Sequence, residues 1–369
     1  MKVLIVSLQK QGGGALDGLE LSNGLAANGF AHAAVISAGN EYAARWDAHA
    51  DKRTVAKIPT YGSSMKSFLL ATIGVARPLR LVRTLAASHA DIVHVADFHP
   101  WAAFIYLARP FFKYTIVYAP QDNPFDPKEK ARPFMAPMER WFVRRADAVA
   151  AYSEFMKRDI ANYVKRDIDV VPLGVYGDLA SGIADKKKFH MSGPLNVLFF
   201  GRIEPYKGVD VLVRAAEILK QKKADVRMVI AGRGAIDAAD LESIKKLDVE
   251  LHNAWITDDE LRGLVAHADV LVAPYKKATQ SGIVSVGLAC RVPVVATDVG
   301  SFREYIEDSV NGFIVPPEDP AALAARIEMF ANDRALLVKM SHGAAAVAQK
   351  YSWANIAKTA IALYGRIAA

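Results

Sequence analysis

Short apolar runs alternate along the chain with longer stretches in which apolar positions recur every three or four residues. Residues 3–8 form the first run, and Gly12, Gly13 and Gly14 follow it. Over residues 15–29, Leu16, Leu19, Leu25 and Ala26 keep helical spacing, closed by a glycine suited to a C-terminal cap. A second run at 33–36 completes a strand, glycine turn, helix, strand order. That is the βαβ unit from which parallel sheets are built. Ile92–Val95, Thr115–Tyr118, 149–152 and 169–172 read as further strands. Residues 174–194 break the rhythm with Gly174, Gly177, Ser181, Gly182, three consecutive lysines at 186–188, Gly193 and Pro194, a linker composition. The pattern then restarts. Strands are expected at 197–200, 227–231, Val270–Ala273 and 292–296, with helices at 209–220 and 258–268. In the last segment Trp353, Ile356, Ala357, Ala360 and Leu363 share one helical face.

The expected architecture is α/β. It has two doubly wound Rossmann-like domains, residues 1–176 and 195–350, joined by a linker at 177–194 and facing a cleft. In such sheets ligands sit beyond the carboxyl ends of the strands. The length of 369 residues accommodates two domains. A composition of 52% hydrophobic and 23% charged residues excludes a disordered chain. One cysteine, Cys290, excludes a disulfide framework or a cysteine-built metal site. No apolar run approaches the ~20 residues of a spanning helix, and the opening run is too short for a signal peptide. The expectation is therefore a cytoplasmic protein, without metal.

Charge adds an asymmetry. The net charge is +7; residues 1–190 carry 25 basic and 18 acidic side chains, and residues 191–369 carry 21 of each. The whole excess lies in the first half, which implies an anionic partner there. Arg80 and Arg83 flank an apolar stripe of Leu79, Val82 and Ala86, with Arg77, Lys66 and Phe68 near in sequence. Trp141 and Phe142 sit among Arg140, Arg144 and Arg145. Such mixtures suit the surface of an anionic membrane, or equally a core edge with a solvated rim. Nucleic acid is disfavoured, because no recognition module accompanies the charge.

Three constellations carry candidate chemistry. Gly12–Gly13–Gly14 after the first strand is either a tight turn or a close approach to an anion at a helix start. Arg202 and Lys207, within Gly201–Gly208 after a buried strand, suit a diphosphate, or else a solvated loop. Ser281 and Gly282, where an apolar helix begins, offer an anion site, or an ordinary N-cap.

The stretches GRIEPYKGVDVL (201–212), WITDDELRGLVAHADVLVAPY (255–275), ACRVPVVATDVGSFREYIEDSVNGFIVPPEDP (289–320) and YSWANIAKTAIALYGRI (351–367) resemble glycosyltransferase family 4. The likeness is continuous in the second half and sparser in the first, where DIVHVAD (91–97) contributes. The resemblance implies a GT-B fold whose last helix, 351–369, returns to the first domain. It implies a nucleotide-diphosphate sugar as donor substrate, UDP- or GDP-linked, with no cofactor, and transfer with retention to a glycan or lipid-linked glycan. By position, Arg202 and Lys207 would hold the diphosphate, with backbone donors from Ser281, Gly282 and Ile283. Gly232, Gly234, Asn253 and Ile256 would frame the base, and Gly13 and Gly14 would approach from the other domain.

Two departures stand out. The family's usual pair of glutamates falls on Ala278 and Val286, within a loop reading ATQSG, so Thr279 and Gln280 are the substitute contacts for sugar and ribose. The family's His-Asp pair reads Gln121-Asp122, and His99 in DFHPW is either a residue of the same site or a satisfied loop histidine. Asp122, Gln121 and His99 are the catalytic candidates. A glycan- or nucleotide-binding protein without catalysis, and a GT-B epimerase, remain as alternatives.

Overall fold

Residues 1–48, 51–60, 76–125, 135–184 and 187–368 are described by a computed structural model. They divide into two units, one of Met1–Gly174 with Trp353–Ala369, the other of Val175–Ser352.

The first unit is built on a parallel seven-stranded sheet. Its strands are β1 (Val3–Ser7), β2 (His32–Ser37), β3 (Arg53–Ile58), β4 (Ile92–Val95), β5 (Thr115–Tyr118), β6 (Ala148–Ala151) and β7 (Asp169–Val170), in the order β3-β2-β1-β4-β5-β6-β7. β1 is buried along its whole length because neighbours flank it and helices cover the sheet. That accounts for its unbroken apolar run. The order reverses between β1 and β4, which makes their carboxyl ends the place for a ligand.

β3 escaped the sequence reading. It is an edge strand, RTVAKI, whose middle is only half-buried, so it lacks a continuous apolar run. The helix Ala76–Ser88 buries Leu81 and Leu85 and exposes Leu79, so the expected stripe of Leu79, Val82 and Ala86 is displaced by one position. Phe142 and Val143, both 0% exposed, lie in the core. Phe142 stacks on Tyr106 at 4.9 Å and packs against Tyr118, Phe98 and Trp141. Phe142 and Val143 thus take the core alternative; Trp141 is half-buried, Arg140 donates to the Pro124 carbonyl at 2.7 Å, and Arg144 and Arg145 are exposed. Lys66, Phe68 and the side chain of Arg77 lie outside the described residues.

The helix Trp353–Ala368 packs along the helix Gly13–Ala27. Tyr364 reaches the buried His94 of β4, with its hydroxyl 2.6 Å from Nδ1. Burial pushes the His94 imidazole down to about 4. The ordinary value is about 6.5, so the unfolded chain binds this proton first as pH falls. The neutral ring's contribution is intact above about pH 6.5 and is lost as pH falls towards 4, a change on the order of 3 kcal/mol. The double variant His94→Leu/Tyr364→Phe is expected to lose less melting temperature than the wild type between these pH values. Parallel curves for the two proteins would count against it.

The second unit is a parallel six-stranded sheet. β8 (Leu195–Phe200), β9 (Val226–Ala231), β10 (Glu250–His252), β11 (Val270–Ala273), β12 (Val294–Thr297) and β13 (Gly312–Val315) run in the order β10-β9-β8-β11-β12-β13. Its reversal lies between β8 and β11. The stretch expected to be a linker, 177–194, belongs to this unit and is anchored to it. The Tyr176 N–H donates to Ser285 Oγ at 3.1 Å, and the helix Gly177–Ala180 packs on the helix Gly282–Ala289. Lys187 Nζ donates to the carbonyls of Val265, Ala266 and Ala268, capping the end of the helix Asp258–His267. Its composition reads as solvated because a lysine that caps helix carbonyls has the same sequence signature as one in water.

Candidate functional site

In the second unit, four loops leave the carboxyl ends of β8, β9, β11 and β12 and are tied to one another. After β8, Gly201–Gly208 passes through a 3-10 turn, Pro205–Lys207, into the helix Val209–Gln221. Gly208 caps that helix at φ +71°, and a Cβ there would overlap the Pro274 carbonyl oxygen. The Lys276 N–H donates to the Tyr206 carbonyl at 2.8 Å, and Lys276 Nζ to Asp210 at 2.8 Å. The β8 loop is thus clasped to the β11 loop on both sides of Lys207. After β9, a Cβ on Gly232 would overlap the Gly201 carbonyl, and Ile203 bridges to Gly234.

The β11 loop supplies the centre. Tyr275, 1% exposed, follows Pro274 directly. Its carbonyl accepts from Thr297 Oγ1 at 2.6 Å, which pins the loop to β12. Lys207 Nζ donates to the Tyr275 hydroxyl at 2.7 Å and lies 3.9 Å from the centroid of its ring. Ser281 Oγ donates to the same hydroxyl at 2.9 Å and accepts from the Ile283 N–H at 3.2 Å. Burial pushes the phenol far above its ordinary value, so it stays neutral. Thr279 is held through its carbonyl, which accepts from the Ser301 N–H and hydroxyl at 3.2 and 2.8 Å. Thr279 and Gln280 are both half-buried.

The structure thus brings Lys207, Ser281 and the start of the helix Gly282–Ala289 together. Gly282 is exposed at that helix start, whereas Ile283 is buried with its N–H donated to the Ser281 cap. Arg202 is exposed and pairs with Glu204 at 3.4 Å. Asn253 is occupied: its Oδ1 accepts from the Gly234 N–H at 3.1 Å and its Nδ2 donates to the Gly234 carbonyl at 3.0 Å. It shapes the Gly232–Gly234 turn. Ile256 is half-buried beside exposed Trp255, over which Arg233 lies at 5.8 Å. Val286, where the family's second glutamate falls, is buried in the helix.

The first unit has its own cluster at the carboxyl ends of β1 and β4. Asp97, 1% exposed, accepts from Ser7 Oγ at 2.8 Å and from the N–H groups of Leu8 and Gln9 at 3.0 and 3.2 Å. Burial outweighs these bonds and pushes its carboxyl up to about 6. Gln9 Nε2 donates to Gln121 Oε1 at 3.4 Å, and Gln121 lies so close to Gly14 that a Cβ there would overlap its amide. Gly13 is exposed and Asp122 is exposed. His99 is buried; its Nδ1 accepts from the Trp101 N–H at 3.2 Å, capping the turn Pro100–Ala102. Burial, with the charge of Lys10, pushes its imidazole down to about 3. The neutral ring thus caps this turn.

Tyr275 and Asp97 were absent from the sequence-derived candidates. Each stands just past a buried strand, Val270–Ala273 and Ile92–Val95, where a polar side chain is aimed at the ligand end of the sheet.

Two Rossmann-like units with anion-suited loops at their strand ends define the architecture of the GT-B glycosyltransferases. Residues 12–174 match the glycosyl transferase 4-like domain and residues 194–333 match glycosyl transferases group 1. Between them the two matches span most of the chain, which belongs to the glycosyltransferases of this two-domain type. Among curated relatives, D-inositol 3-phosphate glycosyltransferase of Arthrobacter sp. (strain FB24) is 32% identical over 180 residues, 47% of this chain and 43% of the relative. Phosphatidyl-myo-inositol mannosyltransferase of Mycobacterium leprae is 32% identical over 241 residues, 64% of this chain and 63% of the relative. The matched regions thus span about half of these relatives' lengths. Among solved structures, Anabaena Alr3699/HepE in complex with UDP and glucose shares the fold with a TM-score of 0.73 at 20% identity, over 99% of this chain and 100% of that one.

Proposed function

We propose that the protein is a retaining hexosyltransferase that moves a sugar from a UDP- or GDP-linked donor to a glycan or lipid-linked glycan acceptor. The observation that carries this reading is the convergence of Lys207, Ser281 and a helix start on Tyr275. When the bond between the sugar and the diphosphate breaks, charge gathers on the departing phosphates. A fixed ammonium and a helix N-terminus stabilise charge of that kind. Arg202 adds a second cation from the same loop. Gly232, Gly234 and Ile256 frame the base, with Asn253 holding the turn. Thr279 and Gln280 take the places left by the missing acidic pair. The solved relative's complex with UDP and glucose supports a nucleotide-sugar donor, and the relative named for phosphatidyl-myo-inositol supports a lipid-linked acceptor.

Gly13 and Gly14 approach the donor, and the first unit supplies the acceptor side through Gln121 and Asp122. Asp122 is the group there with an exposed carboxylate, since Gln121 does not titrate and His99 stays neutral. A thermal-shift panel of UDP, GDP and their sugars tests the donor reading. A rise in melting temperature with one nucleotide class supports it, and no rise with any of them contradicts it. A donor that binds but is never transferred or hydrolysed would favour the non-catalytic alternative, which the absence of acid at Ala278 and Val286 motivates.

The basic excess is assigned to an anionic membrane carrying the acceptor, at the cytoplasmic face. The helix Ala103–Ala108 packs with the helices Ala76–Ser88 and Met135–Arg145. There Leu107 and Phe111 are 62% and 81% exposed, among exposed Arg109 and Lys113. Apolar tips among cations suit an anionic bilayer surface. Among the described residues no helix is long and apolar enough to cross a membrane. The wild type is expected to float with anionic liposomes at low salt. The Leu107→Ser/Phe111→Ser variant should float several-fold less, and equal flotation would remove this surface from the account.

A further inference from the structure

The β11 loop places an aromatic residue where the two anion-contact candidates meet. Tyr275 is held from every side. Its carbonyl accepts from Thr297 Oγ1 at 2.6 Å, and its ring packs edge-on against Phe302 and Tyr206 at 5.4 and 6.3 Å. Its hydroxyl takes two donors, one from the β8 loop and one from the far end of its own loop. Lys207 comes from the β8 loop at 2.7 Å and Ser281 from the helix start at 2.9 Å.

We propose that Tyr275 is the positioning residue of the diphosphate site, holding the Lys207 ammonium and the Ser281-capped helix start in register before the nucleotide arrives. The inference rests on the donor reading above and adds the device that organises it.

The choice of a phenol has a consequence for charge. A carboxylate in this position would anchor Lys207 but cancel its charge. The buried phenol remains neutral, so it orients the ammonium by one hydrogen bond and by the ring face without itself neutralising its charge. A lysine on its flexible stem would otherwise have to be ordered when the ligand binds. Ser281 gains too. Accepting from the Ile283 N–H and donating to Tyr275 fixes its rotamer, and with it the first turn of the helix Gly282–Ala289. The same clasp holds the backbone, since Lys276 N–H bonds the Tyr206 carbonyl next to Lys207.

Tyr275→Phe tests this in the full-length chain, because it keeps the ring and removes the hydroxyl. The probes are UDP, GDP and inorganic pyrophosphate, titrated calorimetrically. The Phe variant should melt near the wild type and bind the nucleoside diphosphate and pyrophosphate about tenfold more weakly, the scale of one hydrogen bond to a charged group. In a Lys207→Met background the same change should cost clearly less than in the wild type, since only the part that runs through Ser281 remains. An equal loss in both backgrounds would make Tyr275 a structural residue and overturn the proposal. Wild-type binding by Tyr275→Phe alongside weakened binding by Lys207→Met would overturn it as well, with the donor reading intact. Wild-type binding by both variants would remove the donor reading itself. Should Tyr275→Phe melt far below the wild type, Ser281→Ala cuts the other contact. Weaker pyrophosphate binding by that variant supports the proposal, and unchanged binding refutes it.

Discussion

Lys207→Ala is expected to lower kcat/KM for donor consumption by about 10²-fold or more, the scale of several kcal/mol withdrawn from the transition state. Lys207 is anchored on Tyr275 at 2.7 Å, in a loop clasped to its neighbour by the Lys276–Tyr206 backbone bond. A cation held in place stabilises developing phosphate charge without reorganising when the bond breaks. Arg202 provides the internal comparison. It is exposed and paired with Glu204 at 3.4 Å, so its charge is screened by water and shared with a carboxylate. Arg202→Ala should therefore lose less than Lys207→Ala. Initial rates of nucleoside diphosphate release check both. Near-normal turnover by Lys207→Ala would remove it from the site.

Gly208→Ala should destabilise the protein by about 2–4 kcal/mol and abolish nucleotide binding with it. Two costs combine. At φ +71° a side chain strains the backbone, which by itself costs about 1 kcal/mol. The added Cβ also overlaps the Pro274 carbonyl oxygen, so the clasp between the β8 and β11 loops must open. Gly29 separates the two costs. It has nearly the same backbone, φ +70°, but nothing within 4 Å of a Cβ. Gly29→Ala should thus cost only the backbone part. Urea melts of both variants read the difference as a shift in midpoint. Equal midpoints would mean that the close approach at Pro274 carries no energy.

The two parallel sheets were legible because buried parallel strands are written as unbroken apolar runs, as in Val3–Ser7, Ile92–Val95 and Val270–Ala273. β3, β10 and β13 were not: β3 and β10 are short or half-polar edges, and β13, a buried edge of four residues, opens on a glycine. The segment 177–194 reads as a linker because glycine and lysine are ambiguous without neighbours. Its Lys187 is 81 residues from the Ala268 carbonyl that it caps. The candidate site was legible by residue type at Lys207 and Ser281. What the sequence could not supply was their common partner. Tyr275 lies 68 positions from Lys207, and nothing local in a Pro-Tyr dipeptide distinguishes a core tyrosine from one that aligns a lysine. His99 and Asn253 show the converse. Both are polar residues near a strand's ligand end, and each is satisfied by backbone a few or a few tens of residues away.

The central claim is that the second unit holds a nucleoside diphosphate through Lys207. Calorimetric titration of UDP and of GDP into the wild type and into Lys207→Met measures this directly. The expected result is saturable one-to-one binding of at least one of the two by the wild type, weakened by about tenfold or more in the variant. Binding of equal strength by both proteins, or no binding of either nucleotide by the wild type, would contradict it.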